Sequence, residues 1–274
     1  MKRVRVRINK KKTKQLVAWI DIALFAVLIV SSVLLVITLI KYAKNRTLYQ
    51  ETAREATVEL TPAPTAAPDI TLPPETTPVA PKETPPIAVD FEALKNDTTR
   101  VKGWIYSAGT EINYPVVLGT NNEYYLTHAY DGTRDKGGAI FLDCRTTKEL
   151  VDDNLIVYGH HMKNRTMFGS LMQYQKQDYY AEHPEMYFIT PNGSYRFVVF
   201  SARTTGNDDD IFPTWFESPG ARKTYYAKAV AQSTIDTDVP YRDDVQLMSL
   251  VTCSYYGGYE DAKFIVHGWL VPLV

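Results

Sequence analysis

The chain has 274 residues, of which 45% are hydrophobic and 12% aromatic, so it can bury a sizeable core without requiring two folded domains. Eight of its 30 Lys and Arg residues lie within the first 15 positions, which leaves 22 basic against 31 acidic residues in the remainder, a balance of −9. This makes a poor surface for nucleic acid, and we expect no nucleic-acid partner.

The N-terminal region has the features of a membrane anchor. Residues 1–15 form a basic segment without an acid, and residues 16–40, LVAWIDIALFAVLIVSSVLLVITLI, carry Asp21 as their one charge. As a helix, these 25 residues extend about 37 Å, enough to cross a bilayer core of about 30 Å. The apolar run is also longer than that of a cleaved signal peptide. We predict an uncleaved, single-pass plasma-membrane anchor, with the N-terminus cytoplasmic and the chain after Lys41 extracellular.

Two segments are predicted between this anchor and a folded domain. Residues 41–60 are expected to continue the helix as a stalk. Residues 61–86, TPAPTAAPDITLPPETTPVAPKETPP, hold 9 of the 16 prolines and favour extended, polyproline-like conformations. They are predicted to form a semi-rigid spacer that holds the domain, residues 87–274, off the membrane.

The domain has mainly β-type sequence signals. Its short stretches are rich in Val, Ile, Phe and Tyr, and Gly, Pro, Asn and Asp turn signals separate them, as expected for a closed or sandwiched sheet. Helices are predicted at 91–96, 167–175 and 218–233, the last with Ser218 and Pro219 as its cap and first turn. The predicted strands are 112–118, 137–143, 154–160, 185–190, 194–202, 245–253 and 263–271.

Two cysteines, Cys144 and Cys253, lie in this domain. A single disulfide between them and two free thiols are both open alternatives, although extracellular folds that depend on disulfides normally carry more. Cys253 ends one predicted strand and His160 ends another, positions where a rigid strand holds a side chain at an open rim. Cys253 is therefore either a core thiol or a nucleophile that requires a nearby base or cation.

Three stretches together resemble the sortases, membrane-anchored cysteine transpeptidases of Gram-positive bacteria, and in particular class B. SLVTC, residues 249–253, is similar to the family's Thr-Leu-x-Thr-Cys signature. YGHHMKNRTMFGSL, residues 158–171, resembles the class B segment around the catalytic histidine, and residues 124–143 resemble a further class B stretch. The resemblance covers roughly residues 100–274, together with the N-terminal anchor.

The resemblance implies a mainly β fold: a closed eight-stranded sortase-like barrel with an added N-terminal helix and a helix in the long connection before the cysteine strand. It implies Cys253 as the nucleophile and His160 as the acid that protonates the leaving amine. By analogy, a peptide groove would be lined by part of the 211–240 connection and by Asn122, Leu126, Val251 and Thr252.

One position departs from the family pattern. Lys263 stands where the family places an arginine that contacts the substrate and the oxyanion. Lysine keeps the charge but loses the planar fork of donors. Three alternatives stay open: Lys263 substitutes imperfectly as the third catalytic residue, Arg203 or Arg242 reaches the site, or the protein is catalytically weak.

The function implied is cleavage of a C-terminal sorting signal of exported proteins after Thr. The acyl group would pass to an amine of peptidoglycan, or of a pilin subunit. A membrane-tethered cell-wall cysteine peptidase and a non-catalytic sorting-peptide binding module are the alternatives. The sequence contains no metal-ligand cluster or phosphate-binding glycine loop, and we infer neither metal nor cofactor.

Overall fold

The computed structural model describes residues 10–60, 84–94, 98, 100–205, 212–253 and 262–273. For residues 10–18, 42 and 253 it describes the backbone alone. The chain divides into two compact units, Met1–Asn45 and Arg46–Val274.

The first unit consists of most of one long helix, α1, which runs from Lys10 to Ala56. Among the described residues, α1 is the one helix long and apolar enough to cross a membrane, and its most apolar 18-residue window has a mean hydropathy of 3.0. The apolar side chains of this region, from Trp19 to Ile40, are exposed to the surroundings rather than packed into a protein core. The helix is therefore suited to lipid contact.

The second unit begins at Arg46, well before the domain boundary expected at residue 87. Tyr49, Ala53 and Ala56, spaced as one helix face, are buried in its main core. The chain continues into β1, Thr57–Glu59, which pairs antiparallel with β2, Ile87–Val89. The Leu60 N–H donates to the Pro86 carbonyl at 2.8 Å. Leu60 and Pro86, the described residues on either side of the predicted spacer, thus lie side by side at the end of the β1–β2 pair.

The second unit is built on a closed barrel of eight strands. Around the barrel the order is β10-β8-β7-β3-β4-β5-β6-β9, with β9 and β10 closing it. The β4–β5 and β6–β9 pairs are parallel and the others antiparallel, so the barrel is mixed. The strands are β3 Val101–Tyr106, β4 Asn113–Leu118, β5 Ile140–Leu142, β6 Asn154–Tyr158, β7 Glu185–Thr190, β8 Gly193–Thr205, β9 Gln246–Cys253 and β10 Lys263–Pro272.

The predicted barrel is confirmed, and its eighth strand is β3, which the sequence reading missed. Lys102 and Gly103 interrupt the run of β-formers there. The glycine is required by packing, because a Cβ at position 103 would lie 2.6 Å from the Phe188 ring on neighbouring β7. Gly103 therefore weakens the β-strand signal in the sequence but allows β3 and β7 to approach closely.

Helices occupy the connections. A short helix, α2, spans Phe91–Leu94, and a 3-10 helix, Tyr124–Leu126, lies between β4 and β5. A second 3-10 helix, Phe168–Gln175, and α3, Gln177–Glu182, follow β6. The predicted helix before the cysteine strand is α4, Pro219–Ala231, and the Ser218 hydroxyl accepts the Ala221 N–H at 3.1 Å, as its predicted cap.

Alternation along β9 and β10 separates the barrel interior from its outer face. Leu250 and Phe264 belong to the main core inside the barrel. Val251 and Ile265 point the other way, into a smaller outer cluster closed by Phe212. The chain after β8 therefore covers part of the outer face of β6, β9 and β10.

Candidate active site

Three sequence-predicted residues meet where neighbouring strands end. Cys253, the last residue of β9, is the direct cross-strand partner of Lys263, the first residue of β10. On the other side, Tyr158 of β6 pairs with Val251, and continuing this parallel register by two residues brings His160 level with Cys253. Because adjacent strands lie about 4.8 Å apart, these three backbone positions form one row across the sheet edge.

The His160 ring is held by the loop that contains the first 3-10 helix. Its Nε2 lies 2.6 Å from the Leu126 carbonyl oxygen. A carbonyl only accepts, so Nε2 carries the proton in this contact. Gly138 makes room for the arrangement, since a Cβ there would lie 2.3 Å from the Tyr125 carbonyl and 3.2 Å from the His160 ring. Its φ of +62° also favours glycine.

Lys263 is half-buried, and its Nζ lies 5.6 Å from the centroid of the Phe212 ring, within the range of a cation–π contact. The two arginines considered as alternatives are engaged elsewhere. Arg203 is 3% exposed and donates to Gln232 Oε1 at 2.8 Å. Arg242 forms an ion pair with Asp244. It precedes β9, and the eight residues of that strand separate Arg242 from Cys253 by about 23 Å or more along the chain. Of these three cations, Lys263 alone is in register with the cysteine.

The four predicted groove residues are not equivalent. Leu126 is 39% exposed beside His160. Asn122 is half-buried, and its side-chain amide donates to Asp143 and accepts the Cys144 N–H. Val251 lies on the outer face, 2% exposed under the Phe212 cluster. Thr252 is also 2% exposed, but alternation and its partner Phe264 place it on the interior side. The structure thus brings Leu126 and Val251 to the row of catalytic candidates and turns Thr252 away from it.

Comparison with known proteins identifies the family. A model of the sortase domain matches residues 107–271. The chain belongs to the sortase family. Sortase B of Listeria monocytogenes serovar 1/2a is 31% identical over 182 residues, which cover 66% of this chain and 73% of the relative. Sortase B of Staphylococcus aureus is 34% identical over 163 residues, covering 60% of this chain and 67% of the relative.

Solved structures agree. Sortase B from Bacillus anthracis in complex with AAEK1 superposes with a TM-score of 0.68 at 27% identity, covering 85% of this chain and 99% of that one. A Staphylococcus aureus sortase B–substrate complex gives 0.63 at 31% identity, covering 67% and 85%. This sortase is a sortase B-like cysteine transpeptidase, anchored in the membrane by its N-terminal helix.

Sequence reasoning missed a buried carboxylate that contacts the predicted groove residue Asn122. Asp143, at the end of β5, is 1% exposed and accepts hydrogen bonds from Asn122 and from the Tyr158 hydroxyl, both at 3.1 Å. The Arg145 side chain donates two hydrogen bonds to this carboxylate, from Nε at 2.8 Å and from Nη2 at 2.9 Å. Burial alone raises the pKa of Asp143, but the bonds from Arg145 and Tyr158 outweigh it and hold the pKa below its usual value. The sequence signal, an Asp two residues before an Arg, is too common to identify such a site.

A second buried polar chain supports the segment that carries Phe212. Ser249 donates to Asn154 Oδ1 at 3.0 Å, so the 2.9 Å contact of Ser249 with His267 uses the His267 Nδ1–H as donor. Asn154 in turn donates to the Pro213 carbonyl at 2.9 Å. Burial, with a smaller effect of Arg203, holds the pKa of His267 well below its usual value. His267 is thus a neutral structural residue rather than a second catalytic histidine.

Cys144 is a free, exposed cysteine. It does not form the bridge to Cys253 that the sequence left open. The sulfur of Cys253 lies outside the described atoms, whereas its backbone pairs with Lys263.

Proposed function

We propose that this sortase cleaves a C-terminal sorting signal of exported proteins after Thr and transfers the acyl group to an amine of peptidoglycan or of a pilin subunit. The observation that carries the proposal is the shared register of His160, Cys253 and Lys263 at one edge of the barrel. A sortase B–substrate complex from Staphylococcus aureus has the same fold, which supports a substrate site on the barrel of this chain.

In the first half-reaction, the Cys253 thiolate attacks the threonine carbonyl carbon and forms a C–S bond. The negative charge that develops on the carbonyl oxygen is stabilised by Lys263, the cross-strand partner of the cysteine. As the C–N bond breaks, His160 gives a proton to the departing amine. Because Nε2 is held by the Leu126 carbonyl, Nδ1 is the ring nitrogen assigned to this transfer.

In the second half-reaction, the acceptor amine attacks the thioester carbonyl and loses a proton to His160. The C–S bond breaks and the Cys253 thiolate is regenerated. No net oxidation or reduction occurs, and the chain's own side chains supply each proton transfer.

The peptide is assigned to the outer face beside Leu126 and Asn122, and Val251 supports that face from beneath Phe212. Thr252 is kept as a groove residue through its backbone, because its side-chain position belongs to the interior side of β9. The apolar side chain of Leu126 is the exposed member of this set and offers contact area for substrate.

We also assign the N-terminus to the cytoplasm and the catalytic unit to the outside. The eight basic residues among the first 15 favour the cytoplasmic side. Exported substrates are held at the same membrane, so anchoring raises the effective concentration of enzyme and substrate for each other.

The decisive experiment traps the thioacyl intermediate with full-length protein in detergent. A panel of quenched-fluorescent peptides with Thr before the cleaved bond is offered, and loading is read by mass spectrometry. Cys253→Ala should abolish loading, whereas the matched change Cys144→Ala should preserve it; the reverse result would overturn the assignment. Adding candidate acceptor amines then shows which one yields the transfer product.

A further inference from the structure

Asp143 connects the elements that surround the proposed groove. Its carboxylate accepts from Asn122, four residues before Leu126, and from Tyr158, two residues before His160. The Arg145 backbone N–H also donates to it, at 3.0 Å, beside the two side-chain contacts. A carboxylate buried this deeply is stable only with such partners, and each partner is in turn fixed by it.

Arg145 extends this network to the segment after β8. While its guanidinium grips Asp143, Nη2 also donates to the Phe212 carbonyl at 3.1 Å. The Arg145 side chain is 53% exposed, so without Asp143 it would keep the rotamer freedom of a surface arginine. Asp143 therefore restricts Arg145 to an orientation that reaches Phe212.

Phe212 in turn contacts the proposed catalytic row. Its ring is 3% exposed and packs with Ile156, Val251 and Ile265 on the outer face. The Lys263 Nζ lies 5.6 Å from its centroid. The position of this ring thus influences where the lysine charge lies relative to Cys253.

We propose that Asp143 and Arg145 are positioning residues for acyl transfer: the buried pair joins Asn122 and Tyr158 to Phe212, and Phe212 positions Lys263. The proposal rests on the proposed function and deepens it. It also explains how a lysine serves where the sortase pattern places an arginine. The flexible ammonium is oriented by an aromatic ring that the Asp143–Arg145 pair holds, rather than by a fork of its own donors.

The test uses the full chain in detergent in a Cys144→Ser background, so that Cys253 is the only thiol. Arg145→Met removes both the ion pair and the Phe212 contact. Arg145→Lys keeps a cation but cannot grip the carboxylate at two points while reaching Phe212. Arg242→Met is the matched control, because Arg242 also grips an aspartate two residues away at two points, on an exposed turn.

Three quantities are measured for each variant. They are kcat and KM with the fastest-loading peptide of the panel, the rate of Cys253 alkylation by iodoacetamide, and the melting temperature. Alkylation needs a reactive thiol but neither the groove nor an oxyanion donor, so a positioning role changes the alkylation rate much less than kcat. A folding defect changes it together with the melting temperature.

We expect Arg145→Met to lower kcat/KM about tenfold or more, mainly through kcat, because an oxyanion donor acts in the transition state. Alkylation should stay within about twofold, Arg145→Lys should fall between the parent and Arg145→Met, and Arg242→Met should match the parent. Phe212→Leu should lower kcat in the same way.

The inference is overturned if Arg145→Met keeps the parent kcat, if kcat/KM falls only through a higher KM, or if kcat falls by the same factor as the alkylation rate. Should Arg145→Met not fold, Arg145→Lys decides, and equality with the parent refutes the inference. A Cys253→Ala protein that stays active in the same assay would instead refute the proposed function, which separates the two failures.

Discussion

Residues 61–83 can be removed to test the organisation of the chain. Because Leu60 and Pro86, which flank the segment, are hydrogen-bonded to each other, we expect activity at the membrane not to depend on the length of the segment. We expect the folded unit to tolerate replacement of these 23 residues by a four-residue Gly-Asn-Gly-Ser turn.

The magnitude follows from loop-closure entropy. Shortening a closed loop from 23 to four residues lowers the entropic cost by (3/2)RT ln(23/4), or about 1.5 kcal/mol, in favour of the folded state. This corresponds to roughly a tenfold change in the folding equilibrium. The gain should appear as a higher urea midpoint with an unchanged slope.

The assay follows tryptophan fluorescence, to which the buried Trp104 and Trp269 contribute, in full-length protein reconstituted in detergent. Activity is then compared in vesicles with a membrane-tethered substrate and in detergent with a soluble peptide. A chain with 61–83 scrambled at constant length is the matched control and should behave as the parent. A shortened protein that keeps activity on soluble peptide but loses it on tethered substrate would refute this reasoning and restore the spacer role.

Three further predictions concern the site and its support. Lys263→Met should lower kcat by about 10²- to 10³-fold, which is the effect of losing one oxyanion donor. A loss of kcat below threefold would exclude that role. If Lys263→Arg does not raise kcat, lysine is the residue that this site uses. The pKa of His267 is lowered in the folded state. As the pH falls through about 6.5, the unfolded chain therefore takes up a proton that the folded chain does not. The free energy of unfolding should decrease by up to about 1.4 kcal/mol for each pH unit below that value. Urea titrations at several pH values should show that His267→Gln loses this slope and His128→Gln keeps it, and equal slopes would contradict the assignment. Gly138→Ala should lower both the melting temperature and kcat/KM, since the new Cβ meets the Tyr125 carbonyl, whereas Gly193→Ala, whose Cβ would meet nothing closer than 3.7 Å, should leave both unchanged.

Local patterns were sufficient for much of the fold. Short stretches rich in Val, Ile, Phe and Tyr between turn signals predicted seven of the barrel strands, and Ser218 followed by Pro219 predicted the start of α4. These features are local, because strand composition, turn residues and helix capping depend on residues within a few positions of each other. The eighth strand was missed because the glycine at its centre is explained only by a ring on another strand.

The boundary of the catalytic unit shows a different limit. Tyr49, Ala53 and Ala56 have the spacing of a buried helix face, but in sequence they merely continue the anchor helix. Their burial depends on residues far along the chain, such as Gly138 in the loop before β5, whose carbonyl accepts the Tyr49 hydroxyl at 2.7 Å. The proline-rich run between β1 and β2 predicts a spacer, and sequence gives no information on whether the residues that flank it pair.

Hydropathy and motif spacing are properties of short stretches, and they were enough to predict the anchor, the β-rich domain and its candidate cysteine, histidine and lysine. The shared register of these three residues across β6, β9 and β10 appears only in the fold, as does the position of Asp143 between Asn122, Tyr158 and Arg145. Strand register and buried hydrogen bonds join residues up to about 100 positions apart, and their energies depend on distances that no local pattern contains.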